Sequence, residues 1–271
     1  MTQVAFITGG ASGFGLELSK KLVQRGWTVY AADKDSKAVA KTKDFGAIPV
    51  TLDVTDAKKT KGAIDKLIKA EDRIDLLVAN AGYGNFSTVE EMTSEQVQKI
   101  FAVNVFGAEA CIRAVLPQMR KQRSGRILIT TSVVAHVSLA GLGWYAATKH
   151  TMKAVANALR QEVRELGIYV STVEPGTSKT GFGSIAFGHL KEGRSVSEYD
   201  TVMRGVNKWL GGMYRISPGP EKVVSKMLKA ATSPKPRAHY PASWDVRALK
   251  LVFYLMPRRW LDGFILWLAK R

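Results

Sequence analysis

The chain has 271 residues, of which 46% are hydrophobic and 23% are charged. These values are typical of a globular protein and exclude a disordered chain. The single cysteine, Cys111, excludes an intramolecular disulfide and a cysteine-based zinc site, and the four histidines lack metal-ligand spacing. We therefore expect no metal centre.

Lysine and arginine number 40 against 23 aspartate and glutamate residues, a formal net charge of +17. Residues 186–271 alone hold 16 basic and 6 acidic side chains. Such a surplus favours a nucleic acid, an anionic membrane or an anionic ligand. Because no aromatic-interleaved basic motif or zinc-finger spacing accompanies it, we expect no nucleic-acid partner.

Short apolar runs alternate with amphipathic segments along the first two thirds of the chain. Strands are predicted at 4–8, 27–32, 48–52, 74–79, 126–131 and 168–173, and helices at 16–25, 35–45, 57–70, 94–120 (capped by Ser94) and 145–166. This alternation predicts an α/β fold, a single doubly wound parallel sheet with helices on both faces. Such a sheet is typical of a Rossmann fold.

The pattern changes after the sixth strand. Residues 176–216 are rich in glycine and show little regular periodicity, which predicts a lid or binding loop. A helix at 220–231 and a short strand near 237–240 follow. We expect one domain over residues 1–245 and a basic, apolar C-terminal extension over residues 246–271. We expect no signal peptide and no transmembrane helix, since no uninterrupted apolar stretch reaches 18 residues.

A glycine-rich turn with the spacing G-x-x-x-G-x-G separates the first strand from the first helix. Glycine lets the backbone turn sharply and approach a pyrophosphate, and the helix N-terminus supplies N–H groups and positive dipole. The turn alone also fits an ordinary strand-to-helix connection. Its place after the first strand of an alternating pattern predicts a dinucleotide site at Gly9, Ser12, Gly13, Phe14 and Gly15.

Acidic residues end the second and third strands. Asp33 can accept hydrogen bonds from ribose hydroxyls and would repel a 2′-phosphate, which favours NAD over NADP. Lys34 leaves NADP open, because a cation there can receive a 2′-phosphate. Asp53 and the segment Asn80-Ala81-Gly82 end the next two strands, at the sheet edge where such folds bind ligands.

Tyr145 and Lys149 are four residues apart on a predicted helix and therefore share one face. A tyrosine has a pKa of about 10, too high for a base at neutral pH. A nearby ammonium favours the phenolate, so we expect Lys149 to lower the pKa of Tyr145. Ser132, 13 residues earlier at the end of the fifth strand, can hydrogen-bond a substrate oxygen.

These motifs, taken in chain order over about residues 3–180, resemble those of the short-chain dehydrogenase/reductase family. The resemblance implies that Gly9, Gly13 and Gly15 are the cofactor glycines and that Ser132, Tyr145 and Lys149 are catalytic. It further implies that Asn104 holds a water that links Lys149 to solvent, that Asp53 and Val54 lie near the adenine, and that Asn80 supports the central strand and the cofactor. Pro175 and Gly176 are expected to bind the cofactor, and Thr180 to contact the nicotinamide amide. Ala79 departs from the pattern, because many members have a second asparagine there.

The resemblance implies an enzyme that passes a hydride between NAD, or NADP, and a secondary alcohol or ketone. Apolar side chains in the loop and the C-terminal part predict an apolar substrate, and the overall layout resembles the retinol and hydroxysteroid dehydrogenase branch. An NADPH-dependent ketone reductase is the first alternative. A non-catalytic, membrane- or nucleic-acid-associated protein on the same fold is the second, and the intact Ser132, Tyr145 and Lys149 argue against it.

The resemblance also implies a homodimer or homotetramer formed through the two long helices, 94–120 and 145–166. The first carries an apolar stripe that can serve as this interface or can face the sheet: Val97, Phe101, Val105, Ala108 and Ile112. We expect a cytoplasmic protein whose residues 246–271 contact a membrane surface, or pack on their own domain or on a partner subunit. The extension holds two apolar stretches of nine residues with basic flanks, each too short to span a bilayer.

Overall fold

Seven parallel strands form a single sheet in the computed structural model of the chain, in the order β3-β2-β1-β4-β5-β6-β7. The order reverses between β1 and β4, which is the switch point where doubly wound folds bind nucleotides. The strands are β1 (Val4–Thr8), β2 (Thr28–Asp33), β3 (Ile48–Thr51), β4 (Leu76–Ala79), β5 (Gly125–Thr130), β6 (Ile168–Glu174) and β7 (His239–Pro241).

Nine α-helices connect or flank the strands in the part of the chain that the structure describes. They are α1 (Gly13–Val23), α2 (Ser36–Ala40), α3 (Ala57–Glu71), α4 (Ser94–Phe101), α5 (Gly107–Gln122), α6 (Gly143–Glu162), α7 (Asp200–Ile216), α8 (Glu221–Thr232) and α9 (Arg258–Ala269). The described residues are 2–178, 196–242, 246, 251–252 and 254–269. Thr180 and most of the glycine-rich half of the predicted loop lie outside them.

The two faces of the sheet carry separate halves of the core, because successive strand residues point to opposite sides. On β1, Val4 and Phe6 join the half that is covered by α3, α5 and α6, and Ala5 and Ile7 join the half that is covered by α1 and α8. All four are essentially inaccessible to water. The predicted doubly wound α/β sheet is therefore confirmed.

The helix α7 occupies part of the segment that the sequence analysis treated as irregular. Its buried residues Met203, Val206 and Leu210 recur at three- and four-residue spacing, which is the signature of an amphipathic helix. Glycines at 205, 211 and 212 conceal this period in the sequence. The expectation of little regular structure over 176–216 was therefore wrong for its second half.

The long helix predicted from 94 to 120 is also not uniform. Thr93, not Ser94, is its N-cap, and Thr93 forms a reciprocal capping box with Gln96. A turn of π-helix over Ala102–Phe106 separates α4 from α5. A π-helical turn holds one more residue than an α-helical turn. Asn104 lies in this turn.

The apolar stripe on this helical run packs inside the protein. Val105, Ala108 and Ile112 belong to the core beneath the sheet, which resolves the two alternatives for these residues in favour of the sheet. The run Ser94–Gln122 has the length and mean hydropathy, 1.5, of a membrane span. Since its apolar side is buried against the sheet, we interpret it as a core helix.

Candidate active site

The ends of β1 and β4 are held together by one threonine and one asparagine. The Thr8 hydroxyl accepts hydrogen bonds from the backbone N–H groups of Asn80 and Ala81, each at 3.0 Å. The Asn80 amide donates to the Thr8 carbonyl at 3.1 Å and accepts from the Thr130 hydroxyl at 3.1 Å. Asn80 therefore fixes the crevice between three neighbouring strands, as the resemblance implied.

Glycine is required on the floor of this crevice. Gly9 has a φ of +63°, which strains any other residue, and a Cβ there would lie 2.9 Å from the Asn80 amide nitrogen. A Cβ on Gly15 would overlap the carbonyl oxygen of Gly9. The backbone of the turn is therefore packed closely on itself and on Asn80, directly after β4.

The N-terminus of α1 lacks the side-chain cap that α2, α3 and α4 have. Ser12 occupies the N-cap position in an extended conformation, but its hydroxyl donates to the Asp33 carboxylate at 3.2 Å. Asp35 and Asp56, by contrast, cap α2 and α3 with their own side chains. With no acidic residue in its first turn, α1 leaves positive dipole and backbone donors for an anionic group. The turn formed by Gly13, Phe14 and Gly15 thus fits the pyrophosphate of a dinucleotide.

Two carboxylates and one lysine surround the far end of the crevice. Asp33 is the last residue of β2 and is held by Ser12. Hydrogen bonds from the backbone and hydroxyl of Thr55 hold the pKa of Asp53 below its usual range, and the Lys34 charge lowers that pKa further. The Lys34 side chain itself is exposed. Val54, the next residue, is buried against Gly107 at the start of α5.

The predicted catalytic side chains meet at the carboxyl end of β5. Tyr145 and Lys149 lie one turn apart on α6, with 7% and 6% of their surfaces exposed. The Lys149 ammonium donates to the Thr130 carbonyl at 3.0 Å and lies 5.7 Å from the centre of the Tyr145 ring. A hydrogen bond joins the Tyr145 phenol to Ser132. The three residues therefore form one cluster.

Burial is the main influence on the pKa values of Tyr145 and Lys149 in the protein alone. It raises the pKa of the Tyr145 phenol, and the hydrogen bond from Ser132 offsets only part of that rise. It lowers the pKa of Lys149 from 10.5 to about 8, because the ammonium loses its water. The expectation that Lys149 lowers the pKa of Tyr145 was therefore wrong for the protein alone, because burial is the largest influence and the group that lowers this pKa is Ser132.

Asn104 connects the π-helical turn to the catalytic helix. Its amide accepts from the backbone N–H of Tyr83 and donates to the Tyr83 carbonyl, both at 3.0 Å, and also donates to the Thr148 hydroxyl at 3.2 Å. Gly82 lies between Asn104 and Lys149, and a Cβ on it would be 2.9 Å from the Asn104 side-chain oxygen. The resemblance placed Asn104 near Lys149, but the π-helical turn that aims it was not predicted.

A chain of three polar side chains behind Ser132, of which Glu174 is fully buried, was also missed. Lys153 contacts one ring nitrogen of His136 at 2.8 Å, and the other ring nitrogen lies 3.1 Å from the carboxylate of Glu174. Glu174 is fully buried and directly precedes Pro175, whose carbonyl accepts from the backbone N–H of Val133 at 2.9 Å. The chain thus joins the Ser132 segment to the segment Pro175-Gly176. No sequence spacing connects residues 136, 153 and 174, so pattern analysis could not find it.

Residues 3–186 match the short chain dehydrogenase family. The chain belongs to this family. The cluster of Ser132, Tyr145 and Lys149 and the glycine turn both fall within the matched residues. The family and its nicotinamide-dependent oxidoreductase chemistry, implied by the motifs, are therefore confirmed.

Similarity to individual proteins extends over almost the whole chain. The oxidoreductase YbbO of Escherichia coli is 31% identical over 266 residues, covering 98% of this chain and 94% of that protein. A 3-ketodihydrosphingosine reductase of Bacteroides thetaiotaomicron is 29% identical over 270 residues, covering 99% and 97%. The crystal structure of a short-chain dehydrogenase from Streptomyces avermitilis superposes with a TM-score of 0.84 at 26% identity, covering 97% and 96%. The similarity therefore includes the C-terminal part.

Proposed function

We propose that this oxidoreductase interconverts a secondary alcohol and the corresponding ketone, with an apolar substrate and NAD as cofactor. The observation that carries the proposal is the buried cluster of Ser132, Tyr145 and Lys149 beside the crevice between β1 and β4. This cluster brings a titratable phenol, a hydroxyl and an ammonium to the mouth of a dinucleotide crevice. Such a set of groups is suited to proton transfer coupled to hydride transfer.

Each residue has a distinct role in the proposed reaction. The nicotinamide supplies the chemistry of hydride transfer when it is bound. Ser132 donates to the substrate oxygen and orients it toward the phenol. Tyr145 takes the hydroxyl proton during alcohol oxidation and returns it during ketone reduction. Lys149 binds ribose hydroxyls, and its positive charge favours the phenolate when the ammonium is no longer held by the Thr130 carbonyl alone.

The surroundings of Tyr145 favour an apolar substrate. Its ring meets Phe86 edge-on, with ring centres 6.2 Å apart, and it shares a buried cluster with Leu142 of the preceding loop and with Val206 and Leu210 of α7. Burial of a hydrocarbon group against apolar side chains contributes about 25 cal/mol of binding free energy per Å² of apolar surface removed from water. The name of the related 3-ketodihydrosphingosine reductase, whose substrate is a ketone on a lipid chain, agrees with this substrate class.

NAD is favoured by the contacts at the end of β2. The Ser12 hydroxyl holds the Asp33 carboxylate in place, where the carboxylate suits two ribose hydroxyls and repels a phosphate. Lys34 is exposed and supports the alternative, an NADPH-dependent ketone reductase. The proposal gives Asp33 the larger influence, because Ser12 holds its carboxylate beside the N-terminus of α1.

The direct test follows nicotinamide absorbance with NAD and NADP over a panel of secondary alcohols and ketones of increasing chain length. The proposal predicts a higher kcat/KM for NAD and a rise in kcat/KM with apolar chain length. A higher kcat/KM for NADP would assign the cofactor to Lys34. No turnover on any substrate, with cofactor binding intact, would favour a non-catalytic binding protein.

We further propose a cytoplasmic homodimer or homotetramer formed through the two long helices. Phe106 at the π-helical turn and Val155 on α6 support this, because they are 61% and 39% exposed although both are large and apolar. Analytical ultracentrifugation of the wild type and of Phe106→Glu tests the assembly. The proposal predicts that the wild type sediments as an oligomer and the variant as a monomer, and a monomeric wild type contradicts it.

A further inference from the structure

The helix α9 presents an aromatic face to the solvent. Trp260, Phe264 and Trp267 recur at four- and three-residue spacing on one side of it and are 73%, 49% and 47% exposed. The rings of Phe264 and Trp267 are stacked, with centres 6.0 Å apart. On the other side, Leu261 is buried and the helix contacts α7. The helix is therefore anchored on the protein by one side only.

The residues just before α9 extend this apolar surface. Leu251, Val252, Tyr254 and Leu255 are helical and 60%, 43%, 87% and 68% exposed. A monomer rarely shows so many large apolar side chains together unless the surface binds something. We call these four residues and the three aromatic residues of α9 the apolar C-terminal surface.

We propose that the apolar C-terminal surface lies on an anionic lipid bilayer. Tryptophan and tyrosine are the residues that favour the boundary between lipid and water. Residues 246–271 contain six basic residues and one acidic residue, so their charge complements anionic headgroups: Arg247, Lys250, Arg258, Arg259, Lys270 and Arg271, against Asp262. A second copy of the chain would bring the same positive charges together.

The geometry describes a helix that lies on the membrane and does not cross it. The 12 residues of α9 span about 18 Å at 1.5 Å per residue, well short of the roughly 30 Å hydrocarbon core. Its buried side is committed to α7. Only the exposed side can enter the headgroup region, as in interfacial amphipathic helices.

This contact also relates to the active site, a consequence that rests on the proposed function. The helix α7 contacts α9 and supplies Val206 and Leu210 to the cluster around Tyr145. The helix α7 therefore lies next to the membrane-binding helix α9 and also packs against Tyr145. An apolar substrate dissolved in lipid would be concentrated near the site.

Co-sedimentation with vesicles tests the proposal without any measurement of turnover. The probes are vesicles of pure phosphatidylcholine and vesicles that also contain phosphatidylserine, with the full-length protein at low and at high salt. We expect binding to the anionic vesicles at low salt, weaker binding at high salt, and little binding to the neutral vesicles. A protein that stays in the supernatant with anionic vesicles at low salt overturns the proposal.

Matched variants separate this surface from general stickiness. Trp260→Ala/Trp267→Ala removes two exposed rings and should lower the partition coefficient roughly tenfold or more, because less apolar area is buried in lipid. Tyr169→Ala removes an aromatic ring that is 43% exposed on β6, away from this surface, and should leave binding unchanged. Equal binding by the double variant and the wild type overturns the proposal. The proposal is also overturned if neither protein binds vesicles and the wild type forms an oligomer without lipid that the double variant does not form. A second copy of the chain would then cover the surface.

Discussion

Lys149 carries its ammonium where water does not reach it, and this should weaken the fold. Burial lowers its pKa from 10.5 to about 8, so the protonated form is destabilised in the folded state. At 1.36 kcal/mol per pKa unit, the penalty is about 3 kcal/mol. Replacing Lys149 removes this penalty but also removes the hydrogen bond to the Thr130 carbonyl, which costs about 1 kcal/mol. Lys149→Met, which keeps the side-chain length, should therefore raise the free energy of unfolding by about 2 kcal/mol at neutral pH.

The pH dependence of this gain has a definite sign. Below pH 8 the lysine is protonated in both the folded and the unfolded chain, and the wild type has the full penalty. Between about pH 8 and 10.5 the folded chain loses the proton first, so the penalty disappears as pH rises. The stability advantage of Lys149→Met should thus fall by roughly 2 to 3 kcal/mol between neutral pH and about pH 10, so that the gain of about 2 kcal/mol at neutral pH disappears.

Urea denaturation of both proteins at several pH values measures this difference. Every other titrating group is shared, so its contribution cancels in the comparison. Lys149→Met should also lose activity and cofactor affinity, since the ammonium binds ribose in the proposed reaction. A variant less stable than the wild type at neutral pH, or a stability difference that does not change with pH, would refute the assignment of Lys149 as a buried, destabilised cation.

Three further substitutions test other parts of the site. Asp33→Ala should narrow or reverse the ratio of kcat/KM for NAD over NADP, because it removes the repulsion of a 2′-phosphate; an unchanged ratio contradicts this. Gly15→Ala should weaken cofactor binding at least tenfold, as seen by calorimetry, since the new methyl group overlaps the Gly9 carbonyl. Glu174→Gln should raise the KM for the cofactor several-fold and change kcat little, because its pairing with His136 holds the Pro175 segment; an unchanged KM would limit this pair to stability.

The regular part of the fold was predictable because two signals agreed along it. Apolar runs of four to six residues alternate with amphipathic helices, and each strand ends at a glycine or a small polar residue. The predicted strands therefore match the observed ones within about two residues, β1 being identical. The helix α7 was missed although Met203, Val206 and Leu210 have helical spacing, because its glycines and the irregular stretch before it concealed the period.

The site divides in the same way between local and long-range features. Tyr145 and Lys149 are one helical turn apart, so the sequence was enough to place them together. The pair of His136 and Glu174 joins segments 38 positions apart and depends on the order of β5 and β6 in the sheet. Burial of Tyr145 beneath α7 reverses the expected direction of its pKa shift, and burial is a property of the assembled fold.

The proposed chemistry depends on the oxygen atom of Tyr145. Tyr145→Phe removes that atom and little packing, because the ring keeps its contacts with Phe86 and the surrounding apolar cluster. The most direct measurement follows turnover of an apolar secondary alcohol by the wild type and the variant, with cofactor affinity measured by calorimetry on the same samples. The mechanism predicts that turnover is abolished while the cofactor Kd stays within about a factor of two. A variant that retains more than a few per cent of wild-type turnover would contradict the assignment of Tyr145 as the proton-transferring residue.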